Sequence, residues 1–252
     1  MKTLGQFLTL SACVLFNTAA FANGNTTIES FKDTKNILMK QVYNSPALSR
    51  TFYCDMPFNA KKLIQIPKGV TTKDYVNILN KIQFEHVVPI SYIGRSFSEW
   101  RVGHPACIDE KGVPFKGRKC AGLVNREYRF AEADAYNTFP ASGAVNMLRS
   151  NIEFKNLNSS IPSSFGICEM KITKNGVEPP DESKGRVARA SLYMADSYQR
   201  YRISNQQLQL FNAWNKQFPV TRTECEIARK IESIQGNENK FVKTPCIESG
   251  KW

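Results

Sequence analysis

The sequence predicts a single domain of the α+β class. A chain of 252 residues and 28.5 kDa can bury one core or at most two. Hydrophobic residues make up 42% of it and charged residues 22%, which is typical of a globular protein. Strand-like segments lie in the first half and apolar stripes at helical spacing in the second. No repeat, low-complexity tract or Pro/Ser linker separates the two halves.

The first half is predicted to hold a helix, two strands and a long loop. The helix lies around Ile37–Tyr43, and a short strand covers Thr51–Cys54. A second strand, Gln83–Ile90, is closed by Pro89, which cannot donate to a ladder. Ser91–Arg129 is rich in glycine, proline and charge and is predicted to be a loop, and loops of this length are usually functional or cross-linked. Between the strands, apolar residues recur at helical spacing over a segment too short to assign: Tyr75, Ile78, Leu79 and Ile82.

Helices dominate the prediction for the rest of the chain. Pro140 precedes a helix at Ala141–Ser150, a position where the missing N–H of proline is tolerated. A second helix covers Val187–Tyr201. Two further helices are marked by apolar stripes, which more often build a core than bind a ligand: Leu208, Phe211 and Trp214 on one, and Ile227, Ile231 and Ile234 on the other.

The charge balance narrows the possible partners. The 34 Lys and Arg residues outnumber the 22 Asp and Glu residues, which gives a net charge of +12. Such a field favours polyanions, namely nucleic acid, anionic lipid headgroups or acidic glycans. The charge could also serve solubility alone.

Residues 1–22 are typical of a cleaved export signal. Lys2 supplies the positive start, Leu8–Phe16 a short apolar run, and Ala20-Phe21-Ala22 a small-x-small cleavage site. The apolar run is too short to span a bilayer of about 30 Å, and no later segment is long and apolar enough. We therefore expect a mature domain at 23–252 that is soluble, has no membrane contact and is periplasmic or secreted.

The cysteines agree with export. Cleavage would remove Cys13 from the seven cysteines and leave an even number, which favours disulfides over free thiols in an exported chain. Cys107 and Cys120 lie within the predicted loop, and a disulfide between them would restrain it. The other cysteines allow three pairings: Cys54, Cys168, Cys225 and Cys246.

Several common catalytic motifs are missing from the sequence. Without His-Glu-x-x-His or Cys-x-x-Cys, a zinc site of a common type has no ligands. The phosphate loop, the Gly-x-Gly-x-x-Gly fingerprint and the Gly-x-Ser-x-Gly elbow are also absent, which argues against ATP-driven, dinucleotide and serine-hydrolase chemistry. A metal bound through oxygen ligands remains open.

The stretch from Glu85 to Asn151 concentrates the remaining chemistry. It contains His86, one of two histidines in the chain, together with carboxylates, arginines and amides. A histidine can deprotonate water near neutral pH, although a lone strand histidine is more often structural. Adjacent strand residues point to opposite faces, so Glu85 and His86 can serve one site only near a strand end or bend, here next to Pro89.

Short motifs follow one another in a recognisable order. They are Glu85-His86-Val87-Val88-Pro89, Gly117-Arg118 beside Cys120, Glu132-Ala133-Asp134-x-x-Asn137, and Gly143-x-Val145-Asn146-x-x-Arg149-Ser150-Asn151. Further on come Gly185-Arg186-Val187-Ala188-Arg189, Leu192-Tyr193-Met194, Ala213-Trp214-Asn215-Lys216-Gln217 and Ile234-Gln235-Gly236-Asn237. This order resembles the bacterial endonuclease I family of periplasmic or secreted nonspecific nucleases with a ββα-metal (His-Me finger) site. The likeness covers nearly the whole mature chain.

The resemblance implies a role for each matching residue. His86 would be the general base that activates the attacking water. Glu85 and Asn146 would hold a single Mg²⁺, with its other positions left to water and phosphate oxygens. Arg118 would stabilise the charged phosphate in the transition state, and Glu132 would take part in leaving-group protonation. The other polar residues of these motifs would bind substrate: Asn137, Arg149 and Asn151.

The sequence departs from the family pattern at two places. Tyr136 stands where relatives usually have a histidine, which affects the fine geometry expected near Asn137. Cys54-Asp55-Met56 stands where many members have Cys-x-Cys, which indicates that one family disulfide is missing. Neither departure removes a residue of the predicted site.

The resemblance and the charge together predict a function. We expect a monomeric enzyme, with the ββα-metal motif at the centre of an α+β domain, that cleaves DNA and RNA without sequence preference by Mg²⁺-assisted hydrolysis. Its positive field would follow the phosphate backbone. The alternative is an exported basic protein that binds or takes up DNA without catalysis. The complete set of Glu85, His86, Arg118 and Asn146 favours the enzyme.

Overall fold

The computed structural model describes residues 24–252, so the predicted signal at 1–22 lies outside the described residues. Within that range the chain forms ten α-helices: α1 Phe31–Ile37, α2 Ile90–Gly94, α3 Ser98–Arg101, α4 Arg118–Val124, α5 Arg126–Glu132, α6 Gly143–Arg149, α7 Asp181–Ser197, α8 Asn205–Gln217, α9 Arg222–Gln235 and α10 Lys240–Glu248. It also forms four strands: β1 Ile82–His86, β2 Thr138–Ser142, β3 Lys171–Thr173 and β4 Gly176–Glu178. Helices combined with two small antiparallel sheets confirm the α+β class.

The sheet that matters for the site consists of β1 and β2. The two strands pair antiparallel, with Glu85 opposite Phe139 and His86 opposite Thr138, and α6 follows β2 directly. Pro140 lies inside β2, although the sequence predicted it to precede a helix. Its carbonyl accepts from the Phe52 amide at 2.8 Å and so points away from β1. The Pro140 nitrogen points to the same outer edge of β2, away from β1. The missing N–H of proline therefore removes no hydrogen bond between β1 and β2.

The structure shortens the predicted strand at Gln83–Ile90. β1 ends at His86, and Pro89 becomes the N-cap of α2, which begins at Ile90. Proline at a helix start is favourable because its fixed φ suits the helix and its nitrogen needs no partner. The chain therefore turns immediately after His86.

Two predictions for the first half were wrong. Thr51–Cys54 is a turn in which the Asp55 amide donates to Thr51, and its apolar residues are buried without belonging to a strand. Ser91–Arg129 is not one loop, because α2, α3, α4 and most of α5 lie within it. Helices of four to seven residues are too short to show a 3.6-residue period in the sequence.

The N-terminal helix lies near its predicted place. α1 starts at Phe31 and continues as a π-helical turn over Leu38–Val42, whereas the prediction was Ile37–Tyr43. Ser30 caps it by accepting from the Asp33 amide. The earlier start brings the ring of Phe31 next to the predicted site.

The predicted helices of the second half are present. α7 begins at Asp181, before the predicted Val187, because acidic residues in its first turn favour a helix N-terminus. It ends at Ser197 rather than Tyr201. α8 and α9 bury most of their predicted stripes, but Leu208 is 40% exposed and does not belong to the core.

Close packing joins α7 to the chain after α8. A Cβ atom at Gly185 would lie 2.2 Å from the Phe218 carbonyl, so only glycine permits this approach. Arg189, 2% exposed, forms two bonds of 2.7 Å with the Glu224 carboxylate of α9 and one of 2.8 Å with Phe218. This buried charge is tolerated because each of the three guanidinium nitrogens has an acceptor.

A buried polar cluster around Asp134 ties the start of the described chain to the core. Asp134 is 0% exposed. Its two carboxylate oxygens accept five hydrogen bonds, from the amides of Asn25 and Tyr136, the hydroxyls of Tyr193 and Tyr198, and the side chain of Gln235. We refer to these residues as the Asp134 cluster. Burial raises the pKa of the Asp134 carboxyl, and the hydrogen bonds oppose that rise.

Three disulfides pair the six described cysteines: Cys54–Cys168, Cys107–Cys120 and Cys225–Cys246. The predicted link between Cys107 and Cys120 is confirmed. The structure also selects one of the three pairings that the sequence left open for the others. In the described part of the chain no helix is long and apolar enough to cross a membrane.

Candidate active site

Residues on one face of β1 meet the helix α6. Gln83 and Glu85 are two positions apart on the strand and therefore share a face. Asn146 of α6 donates from Nδ2 to Gln83 Oε1 at 2.8 Å, so this is the face that α6 covers. The strand is regular up to His86, which therefore points to the opposite face, as strand alternation predicted.

Glu85 is a buried carboxylate without a hydrogen-bond partner. Its side chain is 3% exposed, and within residues 24–252 neither Oε1 nor Oε2 finds a donor. Burial raises the pKa of this carboxyl, whereas Arg149 and Tyr53 lower it. Tyr53 lies beside the carboxyl, but its buried hydroxyl does not reach hydrogen-bond geometry. A buried charge left in this state costs on the order of several kcal/mol unless a ligand completes it.

The surroundings of Glu85 fit a hard divalent cation. Because Asn146 uses Nδ2 to reach Gln83, its Oδ1 remains an acceptor. One carboxylate and one amide oxygen suit Mg²⁺, which keeps several waters and takes few protein ligands. Among the described residues no three His, Cys, Asp or Glu side chains converge, so a multi-ligand site of the zinc type is not formed there.

His86 is held by α1 and α5 on the other face of β1. Its ring stacks on Phe31 of α1, with centroids 4.3 Å apart and an interplanar angle of 26°. Nε2 lies 2.7 Å from the Glu132 carbonyl oxygen. A carbonyl oxygen can only accept, so Nε2 carries the hydrogen and Nδ1 is left as the proton acceptor. The contact thereby selects the tautomer in which Nδ1 can accept a proton.

The environment keeps this imidazole uncharged. His86 is 8% exposed, and burial lowers the pKa of its ring to about 4. The Glu132 carbonyl opposes the shift, while the positive charges of Arg118, Arg149 and Lys35 add to it. At neutral pH the ring is therefore neutral and can accept a proton.

Arg118 and His86 are linked through one residue. The carboxylate of Glu132 accepts from Arg118 Nε at 2.5 Å and from the Tyr128 hydroxyl at 3.1 Å, while the carbonyl of the same residue binds His86. Phe31 extends the link, since the Arg118 guanidinium lies 5.5 Å from its ring centroid. The Arg118 side chain is 51% exposed, so it can meet a ligand from solvent.

Two predicted substrate-binding residues support the end of β1. Arg149, 2% exposed, donates to the carbonyls of His86 and Val87. Asn137, fully buried, accepts from the Val88 amide at 2.7 Å and donates to the Val88 carbonyl at 3.0 Å. The structure thus gives both side chains main-chain partners that fix where the strand stops. Asn151, in contrast, is exposed just after α6.

Four residues next to the site were not predicted from the sequence. Gln83 orients Asn146, Tyr53 lies beside Glu85, and Phe31 and Lys35 lie near His86. Gln83 could have been found, because it shares a strand face with Glu85. The other three come from distant parts of the chain and carry no local signal.

The departure at Tyr136 lies away from the site. Its side chain is 2% exposed, its ring is 5.0 Å from that of Tyr193, and its hydroxyl donates to the carbonyls of Ala228 and Asn237. Tyrosine therefore serves here as a core residue within the Asp134 cluster. None of these contacts involves His86 or Glu85.

Comparison with known proteins finds similarity over most of the chain. The family model described as Endonuclease I matches residues 25–246. An Endonuclease-1 from Buchnera aphidicola subsp. Acyrthosiphon pisum (strain APS) is 35% identical over 228 residues, which cover 88% of this chain and 84% of the relative. A periplasmic deoxyribonuclease from Aeromonas hydrophila is 35% identical over 225 residues, covering 86% and 87%.

A further relative is matched over almost its full length. It is an extracellular deoxyribonuclease from Aeromonas hydrophila, 33% identical over 244 residues, which cover 94% of this chain and 97% of the relative. The likeness therefore extends over site and scaffold alike, and the resemblance predicted from the motifs is confirmed. The chain belongs to the endonuclease I family and is a nuclease.

Proposed function

We propose that the protein is a sequence-nonspecific endonuclease that hydrolyses phosphodiester bonds of DNA and RNA with one Mg²⁺, and that His86 is its general base. Two features of β1 together carry the proposal. His86 on one face is neutral and fixed in one tautomer, and Glu85 on the other face is a buried carboxylate that finds no hydrogen-bond donor among the described residues. In this proposal β1, β2 and α6 form the ββα-metal motif.

The acid–base step requires a ring that takes a proton from water. His86 Nδ1 would accept the proton while Nε2–H remains bonded to the Glu132 carbonyl, which steadies the ring as it becomes charged. Stacking on Phe31 prevents the ring from turning. The hydroxide formed in this way would attack phosphorus while the bond to the leaving oxygen breaks, and that oxygen would take up a proton from solvent.

Glu85 and Asn146 Oδ1 would hold the Mg²⁺. A bound Mg²⁺ neutralises phosphate charge and stabilises the leaving oxygen. Gln83 contributes by fixing which end of the Asn146 amide faces the ion. A cation would also compensate the Glu85 carboxylate, whose burial is otherwise costly.

Glu132 is best interpreted as a positioning residue. Its carboxylate holds Arg118 and its carbonyl holds His86, so a single residue sets both groups relative to the phosphate. Arg118 would then stabilise the charge that develops on the phosphate oxygens. Leaving-group protonation by Glu132 would require breaking its bond to Arg118.

The substrate and location follow from charge, disulfides and relatives. The net charge of +12 attracts the phosphate backbone irrespective of base sequence, and RNA offers the same phosphates as DNA. Three disulfides and relatives named periplasmic or extracellular fit an exported monomer. We take 1–22 as the cleaved signal and 23–252 as the mature nuclease.

Replacement of His86 tests the proposal directly. His86→Ala should lower the cleavage rate of supercoiled plasmid by roughly 10²–10⁴-fold, the range of general-base catalysis, while DNA binding in EDTA persists. His104→Ala, which removes the other histidine from an exposed loop, is the matched control and should cleave like wild type. A folded His86→Ala protein within a few-fold of wild type would contradict the assignment.

The alternative function is binding or uptake of DNA without catalysis. Plasmid incubated with Mg²⁺ and with EDTA separates the two. A binding protein would shift the plasmid in both samples and nick it in neither, whereas the proposed enzyme nicks it only with the metal.

A further inference from the structure

A groove opens at the end of β1, next to the proposed site. One wall is the segment Val87–Pro89, which directly follows His86, and Arg149 contributes the adjoining surface. The groove has a volume of about 440 Å³. We name it the strand-end groove and define it by Val87–Pro89, Tyr92, Arg95, Arg149, Tyr201 and Arg202.

Positive charge dominates this groove. Three arginines line it, and among the described lining residues Glu153 is the single carboxylate. Arg95 and Arg202 are exposed and come from distant parts of the sequence, after α2 and before α8. An anion is therefore the expected ligand, and a phosphate suits arginine because its planar fork binds two oxygens at once.

Arg149 supplies a second indication of an anion. Its guanidinium is 2% exposed and bonds to two main-chain carbonyls, while its Nε has no acceptor anywhere in residues 24–252. The Phe154 ring lies 4.7 Å from the guanidinium carbon. The Glu85 carboxylate acts on this guanidinium electrostatically, but among the described residues the two form no ion pair, so an anionic ligand would satisfy the buried cation more completely.

Tyr92 provides a fixed aromatic surface in the same groove. Its hydroxyl donates to the Asn151 carbonyl at 2.6 Å, which holds the ring in place. Tyr201 lines the groove as well and is 9% exposed. A ring fixed beside cationic groups is the arrangement with which proteins bind single-stranded nucleic acid, since every base can stack on it.

The volume of the strand-end groove limits the size of the ligand that it can bind. A volume of about 440 Å³ lies within the range of small-ligand sites and accommodates one nucleotide. A base that is paired inside a duplex cannot enter such a space without leaving the stack. The strand-end groove therefore favours nucleotides that are already unpaired.

We infer that the strand-end groove binds one unpaired nucleotide of the substrate strand, with the base against Tyr92 and the phosphate among Arg95, Arg149 and Arg202. This inference rests on the proposed nuclease function, because the occupant belongs to the strand that is cut next to His86. In this inference, Arg149 contacts the phosphate, and Asn151 holds the Tyr92 ring through its carbonyl. It also implies tighter binding of single strands and overhangs than of blunt duplex.

Binding to two labelled probes tests the inference. Fluorescence anisotropy is measured in EDTA at one fixed salt concentration, with oligo(dT) and with a blunt hairpin duplex of the same length. Tyr92→Leu should weaken oligo(dT) binding by about tenfold and duplex binding much less, because one stacked base is lost. Tyr92→Phe is the matched control, since it keeps the ring and loses only the bond to Asn151.

A charge control accompanies the ring control. Arg202→Gln should also weaken oligo(dT) more than duplex. Arg222→Gln removes an equal charge from the exposed start of α9, outside the groove, and should weaken both probes equally and slightly. If Tyr92→Leu and Arg202→Gln affect the two probes by the same factor, the inference is overturned.

Photo-crosslinking locates the bound base directly. An oligonucleotide with one 5-iodouracil is irradiated on the full chain in EDTA, and the linked peptide is identified by mass spectrometry. Attachment to Tyr92 or Tyr201 supports the groove, and attachment only at other residues refutes it. Both binding tests omit metal, so they remain valid if His86→Ala retains activity. Conversely, the groove variants could weaken binding of both probes equally while His86→Ala is inactive. That result would refute the groove inference and leave the proposed nuclease function intact.

Discussion

Two buried carboxylates of this protein, Asp134 and Glu85, differ in their hydrogen bonding. Asp134 is 0% exposed and accepts five hydrogen bonds, from two main-chain amides, two tyrosine hydroxyls and one glutamine. Glu85 is 3% exposed and accepts none from the described residues. Burial raises the pKa of both groups, so burial and pKa alone do not distinguish them.

The difference lies in what each environment still requires. The hydrogen bonds of the Asp134 carboxylate are all made within the protein, and they hold distant parts of the chain together. Asp134 therefore has a structural role. Within residues 24–252 no cationic side chain forms an ion pair with Glu85, which leaves its carboxylate available to the proposed cation. Hydrogen-bond completeness therefore distinguishes Asp134 from Glu85, the carboxylate that we propose binds the metal.

The largest expected effect comes from removing the Glu85 charge. Glu85→Gln should lower metal affinity and cleavage by more than about 100-fold, above what outer partners of a metal contribute. Mg²⁺ should raise the melting temperature of wild type, since a ligand that binds the native state stabilises it, and that rise should vanish in the variant.

A matched control and a melting curve decide this test. Glu169→Gln removes an equal charge from an exposed residue and should keep both the activity and the Mg²⁺ response. If Glu85→Gln melts at higher temperature with Mg²⁺ to the same extent as wild type, the ion binds elsewhere.

The next effect concerns the disulfide beside Arg118, which is the first residue of α4. Cys107–Cys120 closes the chain two residues after Arg118, and on the chain-entropy model such a link contributes about 3 kcal/mol. Replacing both cysteines by serine should lower the free energy of unfolding by that order and also slow cleavage, because Arg118 is less well positioned.

The serine variant separates stability from positioning. Its cleavage rate should be measured well below its melting temperature, where it is fully folded, and peptide mapping should first show the disulfide in wild type. A wild-type rate in the folded variant would mean that the link only stabilises the fold. Mild reduction of the wild-type protein should reproduce the loss of activity.

A substitution in the Asp134 cluster should lower the stability of the fold without affecting the response to Mg²⁺. Asp134→Asn replaces an acceptor by a donor among groups that all donate, and should lower the free energy of unfolding by about 2 kcal/mol. Because this cluster does not touch the cation site, the variant should keep the Mg²⁺-induced rise in melting temperature. Urea denaturation measures the free energy of unfolding, and thermal melting with and without Mg²⁺ measures the rise. Loss of the Mg²⁺ response would contradict the comparison with Glu85.

The smallest effect is expected at Tyr136. Tyr136→Phe removes the bonds to the Ala228 and Asn237 carbonyls and should cost about 1 kcal/mol by urea denaturation, with cleavage unchanged. A large loss of activity would instead place this residue within the site. It would also mean that the Asp134 cluster acts on catalysis.

The long helices and the site residues themselves could be predicted from the sequence. α7, α8 and α9 are long enough to show their apolar period, and the motifs located Glu85, His86 and Asn146. The short helices α2 to α5 could not, because four to seven residues do not make a period. Pro140 misled the helix prediction, because only the tertiary contact with Phe52 shows which edge of the strand it occupies.

The contacts that tune the site were also beyond sequence reasoning. Phe31 is separated from His86 by a long stretch of chain, yet the two rings stack. Glu132 acts on His86 through its main-chain carbonyl, an atom that every residue type possesses. Sequence patterns report side-chain identity, and neither spatial proximity nor main-chain direction can be read from them.

The Asp134 cluster also has a consequence for the order in which the chain is made. A ribosome completes Glu85, His86 and Asn146 well before it reaches Tyr193, Tyr198 and Gln235, which saturate Asp134. Gln235 also accepts from the Ala135 amide, just beyond the carbonyl that holds His86. A nascent or truncated chain can therefore carry every proposed catalytic residue and still lack the scaffold that aligns them. Cleavage activity should accordingly appear only when synthesis has passed Gln235.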